Sequence, residues 1–167
     1  KSSPNSTELP TLVNQWFQST QGAAVLKSER KIVNALIEML FGYHILQVGC
    51  SDEISLISDS PVGHKVIFSS QFRAGASGAV ANNEELPLES DSIDVILIHH
   101  ALDFTENSHR LLREVTRVLR PGGRLIIVGF NLWSYWGLWK LFKSRANVPW
   151  CGRFISKRRL SDWLQLL

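Results

Sequence analysis

Two neighbouring histidines, His99 and His100, close the apolar run 93–98, and Asp103 follows three residues later. An imidazole that titrates near neutrality can take a proton from a hydroxyl or an amine, and a nearby carboxylate can orient it. The bland alternative for Asp103 is that it caps the turn before the next helix. A second candidate lies upstream, where residues 45–53 read ILQVGCSDE. An apolar strand runs into Gly49 as a strand feeding a nucleotide loop does, but Ser51 and Glu53 stand where such a loop has glycine. The GxGxxG turn, whose second glycine lets the backbone approach a pyrophosphate, is missing, which argues against a nicotinamide site. A third candidate is the aromatic set Trp133, Trp136 and Trp139 beside Lys140 and Lys143. It suits the wall of an apolar pocket, an interfacial membrane contact, or plain helix packing.

These residues need elements to position them. After a Ser/Pro/Thr-rich lead-in over 1–11, Ser28 caps an amphipathic helix carrying Ile32, Val33, Leu36, Ile37 and Leu40, which stops near Gly42. Strands follow at 44–48 and 64–69, with a weak one around 79–81 and a clear, almost continuously apolar one at 93–98. Ser108 caps HRLLREVTRVLR, with Leu111, Leu112, Val115, Val118 and Leu119 as its apolar stripe, and Pro121-Gly122-Gly123 ends it. RLIIVGF is the next buried strand. Residues 130–155 are aromatic and basic, and Ser156 caps a last helix that is still running at residue 167. This alternation predicts an α/β fold of Rossmann-like type: a doubly wound, mainly parallel sheet with helices on both faces.

A length of 167 residues fits one domain, and 44% apolar with 20% charged residues is ordinary for a globular core. The net charge of +3 holds no Lys/Arg block long enough for a nucleic-acid tail, so no nucleic-acid partner is expected. Cys50 and Cys151 lie far apart without CxxC or histidine-ligand spacing, so the sequence names no disulfide and no metal site. Neither a membrane-span-length apolar run nor a signal-peptide pattern is present, and a cytoplasmic setting is the simplest expectation.

In an open α/β sheet the ligand lies beyond the carboxyl ends of the strands, which selects 49–53, 69–71, 82–85, 99–103 and 129–133. In that frame ELPLESDSIDVILIHHALDF, followed by HRLLREVTRVLRPGGRLIIVGFN, resembles the class I S-adenosylmethionine-dependent methyltransferases. The likeness is to the small bacterial type that includes quinone- and biotin-pathway enzymes, and spans roughly residues 30 to 130. It implies a methyltransferase with S-adenosyl-L-methionine as cofactor and a small-molecule acceptor. Carried over by position, Gly49 and Ser51 form the loop under the methionine part, with Gln47 where the family has an acid. Ser69 and Ser70 stand where an acid accepts the ribose hydroxyls, Asn82 where an Asp meets the adenine, and Leu86 and His99 line the cofactor. His99 and His100 are then the catalytic candidates. The alternative is that one stacks near the adenosine while the other holds a loop.

With the acids at 47, 69–70 and 82 all neutral, charge-assisted bonds are lost and a weak or altered cofactor site is expected. The second function class is a non-catalytic methyltransferase-fold module that has lost the cofactor. The family's sheet finishes beyond the helix at 156–167, so an exposed sheet edge is expected to be covered by further chain or by a partner.

Overall fold

The computed structural model describes residues 8–51, 53–69, 79–80, 85–131 and 147–166. Helix α1 (Leu9–Gln18) starts on a proline in its first turn, where the missing N–H is no loss. The sequence reading put Leu9 to Thr11 in the lead-in; the structure makes them helical. Val13 and Phe17, one turn apart, are its buried face. Ser19 then breaks to extended geometry and caps α2 (Thr20–Ile37), its hydroxyl accepting from the Gly22 amide at 3.2 Å. The two helices cross so closely that a Cβ on Gly22 would meet the Trp16 carbonyl at 2.1 Å.

The α2 cap is a correction to the sequence reading, which began this helix at Ser28. Nothing in TQGAAVLK breaks a helix, and the Ser28 hydroxyl bonds back to the Ala24 carbonyl at 3.1 Å inside it. The buried stripe is also narrower than the sequence suggests. Val33 and Ile37 are inside, while Ile32 and Leu36 face out.

Strands β1 (His44–Gly49), β2 (His64–Ser69), β3 (Ala79–Val80), β4 (Ile93–His99) and β5 (Leu119–Val128) form a parallel sheet in the order β3-β2-β1-β4-β5. Strand alternation divides the core. Ile45, Val95 and Leu97 join Val13, Phe17, Val33 and Ile37 on the α1–α2 side. Leu46, Val48, Ile96 and Ile98 face the opposite way, onto α4 (Ser108–Val118) through Leu111, Leu112, Val115 and Val118. Each such fully buried aliphatic side chain contributes about 1.5–3 kcal/mol. The run 95–98 is unbroken and apolar because β4 is covered on both faces, whereas 125–128 of β5 is half-buried.

Two boundaries differ from the sequence reading. Asn107, not Ser108, caps α4 by accepting from the Arg110 amide at 3.2 Å, and the Ser108 hydroxyl donates to the Leu102 carbonyl instead. Pro121-Gly122-Gly123 does not follow the helix as a loop but lies within β5, which starts at Leu119. Ile93 pairs with Leu119 and Val95 with Arg124, so the intervening residues bulge from the ladder, with Gly122 at φ 79°. The last helix, α5 (Lys157–Gln165), is capped by Ser156 as expected, and lays Leu160 and Trp163 against the α4 side.

Candidate functional site

Strand order reverses between β1 and β4, and this is where a doubly wound sheet opens a crevice at its carboxyl edge. Gly49 ends β1, His99 ends β4, and Gly49 forms an isolated bridge with His100. Successive side chains on a strand point to opposite faces, so His99 and His100 should diverge. They do not, because His100 takes the left-handed conformation, φ 53° and ψ 5°.

Both imidazoles reach one carboxylate. His99 Nε2 lies 3.1 Å from Glu29 Oε2, and His100 Nε2 lies 2.9 Å from Glu29 Oε1. Glu29 comes from α2, in phase with the buried Val33 and Ile37. On the far side of the ring, His100 Nδ1 is 2.8 Å from Asp103 Oδ2, in the short helix α3 (Ala101–Phe104). That same Asp103 oxygen accepts from the Phe130 amide at 2.9 Å. Asp103 therefore orients an imidazole and also ties down the chain after β5. A Cβ on Gly129 would sit 3.2 Å from Asp103 Oδ2, so glycine leaves the room this carboxylate occupies.

Aromatic rings close the cluster. Phe17 lies 5.6 Å and 5.5 Å from the two imidazoles, centroid to centroid, and Phe130 lies 4.4 Å from His100. Trp16 and Phe154 pack against Phe130 in turn. Both histidines are 1% exposed, so the charges meet in a nearly dry environment.

Burial and hydrogen bonding pull in opposite directions here. Burial opposes a charge on His100, but its bonds to Asp103 and Glu29 outweigh it and raise the imidazole to about 9. For His99 burial wins over the single bond to Glu29, and the ring falls to about 4. Burial would raise Glu29, yet the bonds from His100 and His99 lower it to about 2. At neutral pH the cluster holds an ionised Glu29, a cationic His100 and a neutral His99. Cys50 is pushed far up, chiefly by burial and further by the Asp103 and Glu29 charges, and is an inert thiol.

The other sequence candidates divide. Gln47 is wholly buried with its amide turned onto its own loop, Nε2 donating to the Ile54 carbonyl and Oε1 accepting from the Leu56 amide at 2.8 Å. Ser51 is buried and accepts from the Glu53 amide at 3.3 Å, while Glu53 takes a hydrogen bond from the Asn14 side chain rather than blocking the loop. Ser69 ends β2 in register with Gly49. Leu86 sits in the core on the α4 side, its amide donating to Glu114 and its carbonyl accepting from Arg117. Ser70 and Asn82 lie outside the described residues, as do Trp133, Trp136 and Trp139.

Glu29 is the residue the sequence reading missed. Its signal was a carboxylate on the apolar phase of α2, successive turns before Val33 and Ile37. For the cofactor, the backbone at the ends of β1, β2 and β4 fits. The described side chains fit in part, since Gln47 is engaged by the chain itself and Glu29, bonded to both histidines, is a carboxylate that keeps some solvent access.

The parallel order, reversing between β1 and β4 beside Gly49, is that of a doubly wound α/β domain. Comparison with known proteins makes this specific. A family model described as a methyltransferase domain matches residues 62–127. The chain is 36% identical over 155 residues to the uncharacterised protein YafS of Escherichia coli K12, covering 91% of this chain and 63% of that protein. Its fold superposes with a TM-score of 0.74, at 22% identity, on a methyltransferase structure from Thermotoga maritima described as a possible histamine N-methyltransferase. That match covers 96% of this chain and 79% of that one. A geranyl diphosphate C-methyltransferase from Streptomyces coelicolor, solved with Mg2+, geranyl diphosphate and S-adenosyl-L-homocysteine, has the same fold at TM-score 0.59 and 13% identity. It matches over 83% of this chain and 58% of that one. Residues 62–127 thus match a methyltransferase domain, and the chain has the Rossmann-like fold of S-adenosylmethionine-dependent methyltransferases. It spans less than two thirds of YafS. Among the described residues no helix is long and apolar enough to cross a membrane.

Proposed function

We propose that this chain is the catalytic part of an S-adenosylmethionine-dependent methyltransferase acting on a small, apolar acceptor. The observation that carries the reading is the meeting of Gly49 with His100 at the reversal point of the sheet, under the cover of Phe17 and Phe130. When bound, the cofactor supplies a methyl group already activated on a sulfonium, so positioning and exclusion of water are the chief demands on the chain. His99, neutral at pH 7, is the imidazole able to take a proton from an acceptor hydroxyl or amine. His100, held between two carboxylates, positions the cluster. Gly49, Ser51, Ser69, Ser70 and Asn82 belong to the cofactor side of the proposal. Trp133, Trp136 and Trp139 belong to its acceptor side, with a quinone-like or lipid-like acceptor, peripheral membrane contact and a cytoplasmic setting.

Calorimetric titration with S-adenosyl-L-homocysteine tests this. Each charge-assisted bond replaced by a neutral one weakens binding by about 1–1.5 kcal/mol, roughly tenfold. Saturable binding at about 10 to several hundred micromolar is therefore expected. Gly49→Ala should weaken it further, because the new Cβ stands 3.1 Å from the Ser51 carbonyl and must shift the loop. Low-micromolar affinity or better would refute the weakened site. No heat at millimolar ligand would refute the cofactor reading and leave a methyltransferase-fold binding module, the second reading, which the engagement of Gln47 by its own loop favours.

A further inference from the structure

We propose that Glu29, His99 and His100 form a site for one divalent transition-metal ion, with Zn2+ the ion their ligand chemistry suits. Each offers one ligand atom, and the three atoms lie within 4.8 Å of one another. A tetrahedral Zn2+ holds imidazole nitrogen and carboxylate oxygen at about 2.0–2.2 Å, which sets neighbouring ligand atoms about 3.3 Å apart. His99 Nε2 lies 3.1 Å from one Glu29 oxygen and His100 Nε2 2.9 Å from the other, so a small turn of the carboxylate brings one oxygen to that spacing from both nitrogens.

Three further features fit a metal centre. The far nitrogen of His100 is held by a buried carboxylate, Asp103 Oδ2 at 2.8 Å, which is how metal-binding histidines are oriented. Asp103 is itself fixed by the Phe130 amide. The left-handed backbone at His100, uncommon for a residue with a Cβ, brings both imidazoles to the same Glu29 carboxylate. Phe17 and Phe130 supply an apolar shell that limits solvent.

Three protein ligands leave at least one coordination position for water or a ligand heteroatom. Metal at Nε2 displaces a proton, so occupancy and proton acceptance by His99 exclude one another. In the loaded form the cluster orients a heteroatom instead of taking its proton. The ligands come from α2, from the end of β4 and from the residue after it, and the proposal goes beyond the cofactor reading; it is measured with no cofactor present.

The test is titration of the chelator-treated chain with Zn2+ against a chromophoric competitor, with metal content of the loaded protein by mass spectrometry. One ion per chain with submicromolar affinity is expected. Glu29→Gln preserves the size and a hydrogen bond, and should lower affinity at least 100-fold. Asp103→Asn should lower it about 10–100-fold through His100. Zn2+ should raise the melting temperature of the native chain and not that of Glu29→Gln, which separates lost binding from lost folding. His44 and His64, whose Nδ1 atoms lie 3.1 Å apart, are the competing site. Substoichiometric binding, or binding abolished by His44→Gln and indifferent to Glu29→Gln, overturns the proposal.

Discussion

Restoring the family's acid by Gln47→Glu should damage the protein rather than mend its cofactor site. Gln47 has no exposed surface, and its Nε2 donates to the Ile54 carbonyl while Oε1 accepts from the Leu56 amide. An ionised glutamate would set an oxygen anion against the Ile54 carbonyl, an unpaired buried charge costing about 3–5 kcal/mol. A protonated glutamate would keep both bonds, so the folded variant takes up a proton. Holding a carboxyl protonated against an unfolded value of about 4.3 costs about 1.4 kcal/mol per pH unit, or about 3.7 kcal/mol at pH 7. Since the folded value is raised, the variant matches the native chain below about pH 4.3 and loses stability as pH rises.

The deficit should therefore grow by about 2.7 kcal/mol between about pH 5 and pH 7, equivalent to about 5–11 °C in melting temperature for a chain of this size. Urea unfolding of both proteins at the two pH values, followed through the six tryptophans, measures it directly. A deficit independent of pH, or tighter binding of S-adenosyl-L-homocysteine by Gln47→Glu, would refute the placement of this side chain on its own loop.

Asp94 accepts from the Tyr43 and His44 amides at 2.8 Å and 2.9 Å and from Arg120 at 2.6 Å, joining the entries of β1 and β4 to β5. Burial works to raise it, but Arg120 and the two amides outweigh this and lower it to about 2. Asp94→Ala should cost about 3 kcal/mol in urea unfolding near pH 7. Because the folded value is depressed, the difference from the native chain should shrink as pH falls through about 4 toward 2. Leu112→Ala, at a fully buried position of α4, should cost about 2–5 kcal/mol in the same assay.

The strands were legible because β1 and β4 are buried on both faces and read as nearly continuous apolar runs, as does the half-buried 125–128 of β5. The helix starts were less so. Ser19 and Ser28 are equally good caps by type, and only the crossing of α1 over Gly22 decides between them. Proline and two glycines after α4 read as a loop because a bulged ladder shows only in the pairing of Ile93 and Val95. At the site, His99, His100 and Asp103 were visible because they are neighbours in sequence. Resemblance to a family assigned Gln47 a position but not a direction, and its amide turns away to Ile54 and Leu56. Glu29 lies about seventy positions from its partners, and no spacing rule reaches that far. Its one local sign was a carboxylate on the buried phase of a helix.

That sign bears on the choice between an enzyme and a retained scaffold. Replacing a buried ionic cluster with apolar residues of similar volume is often neutral or stabilising by about 1–4 kcal/mol. A left-handed non-glycine residue adds roughly 1–3 kcal/mol of strain that the surroundings must offset. Glu29, His99, His100 and Asp103 together carry both costs at the reversal point of the sheet, beneath aromatic rings that would pack as well on leucine or valine. A fold kept only for its shape gains nothing from that arrangement. Chemistry beside Gly49, whether proton acceptance by His99 or the binding of a metal ion, gives those costs a use.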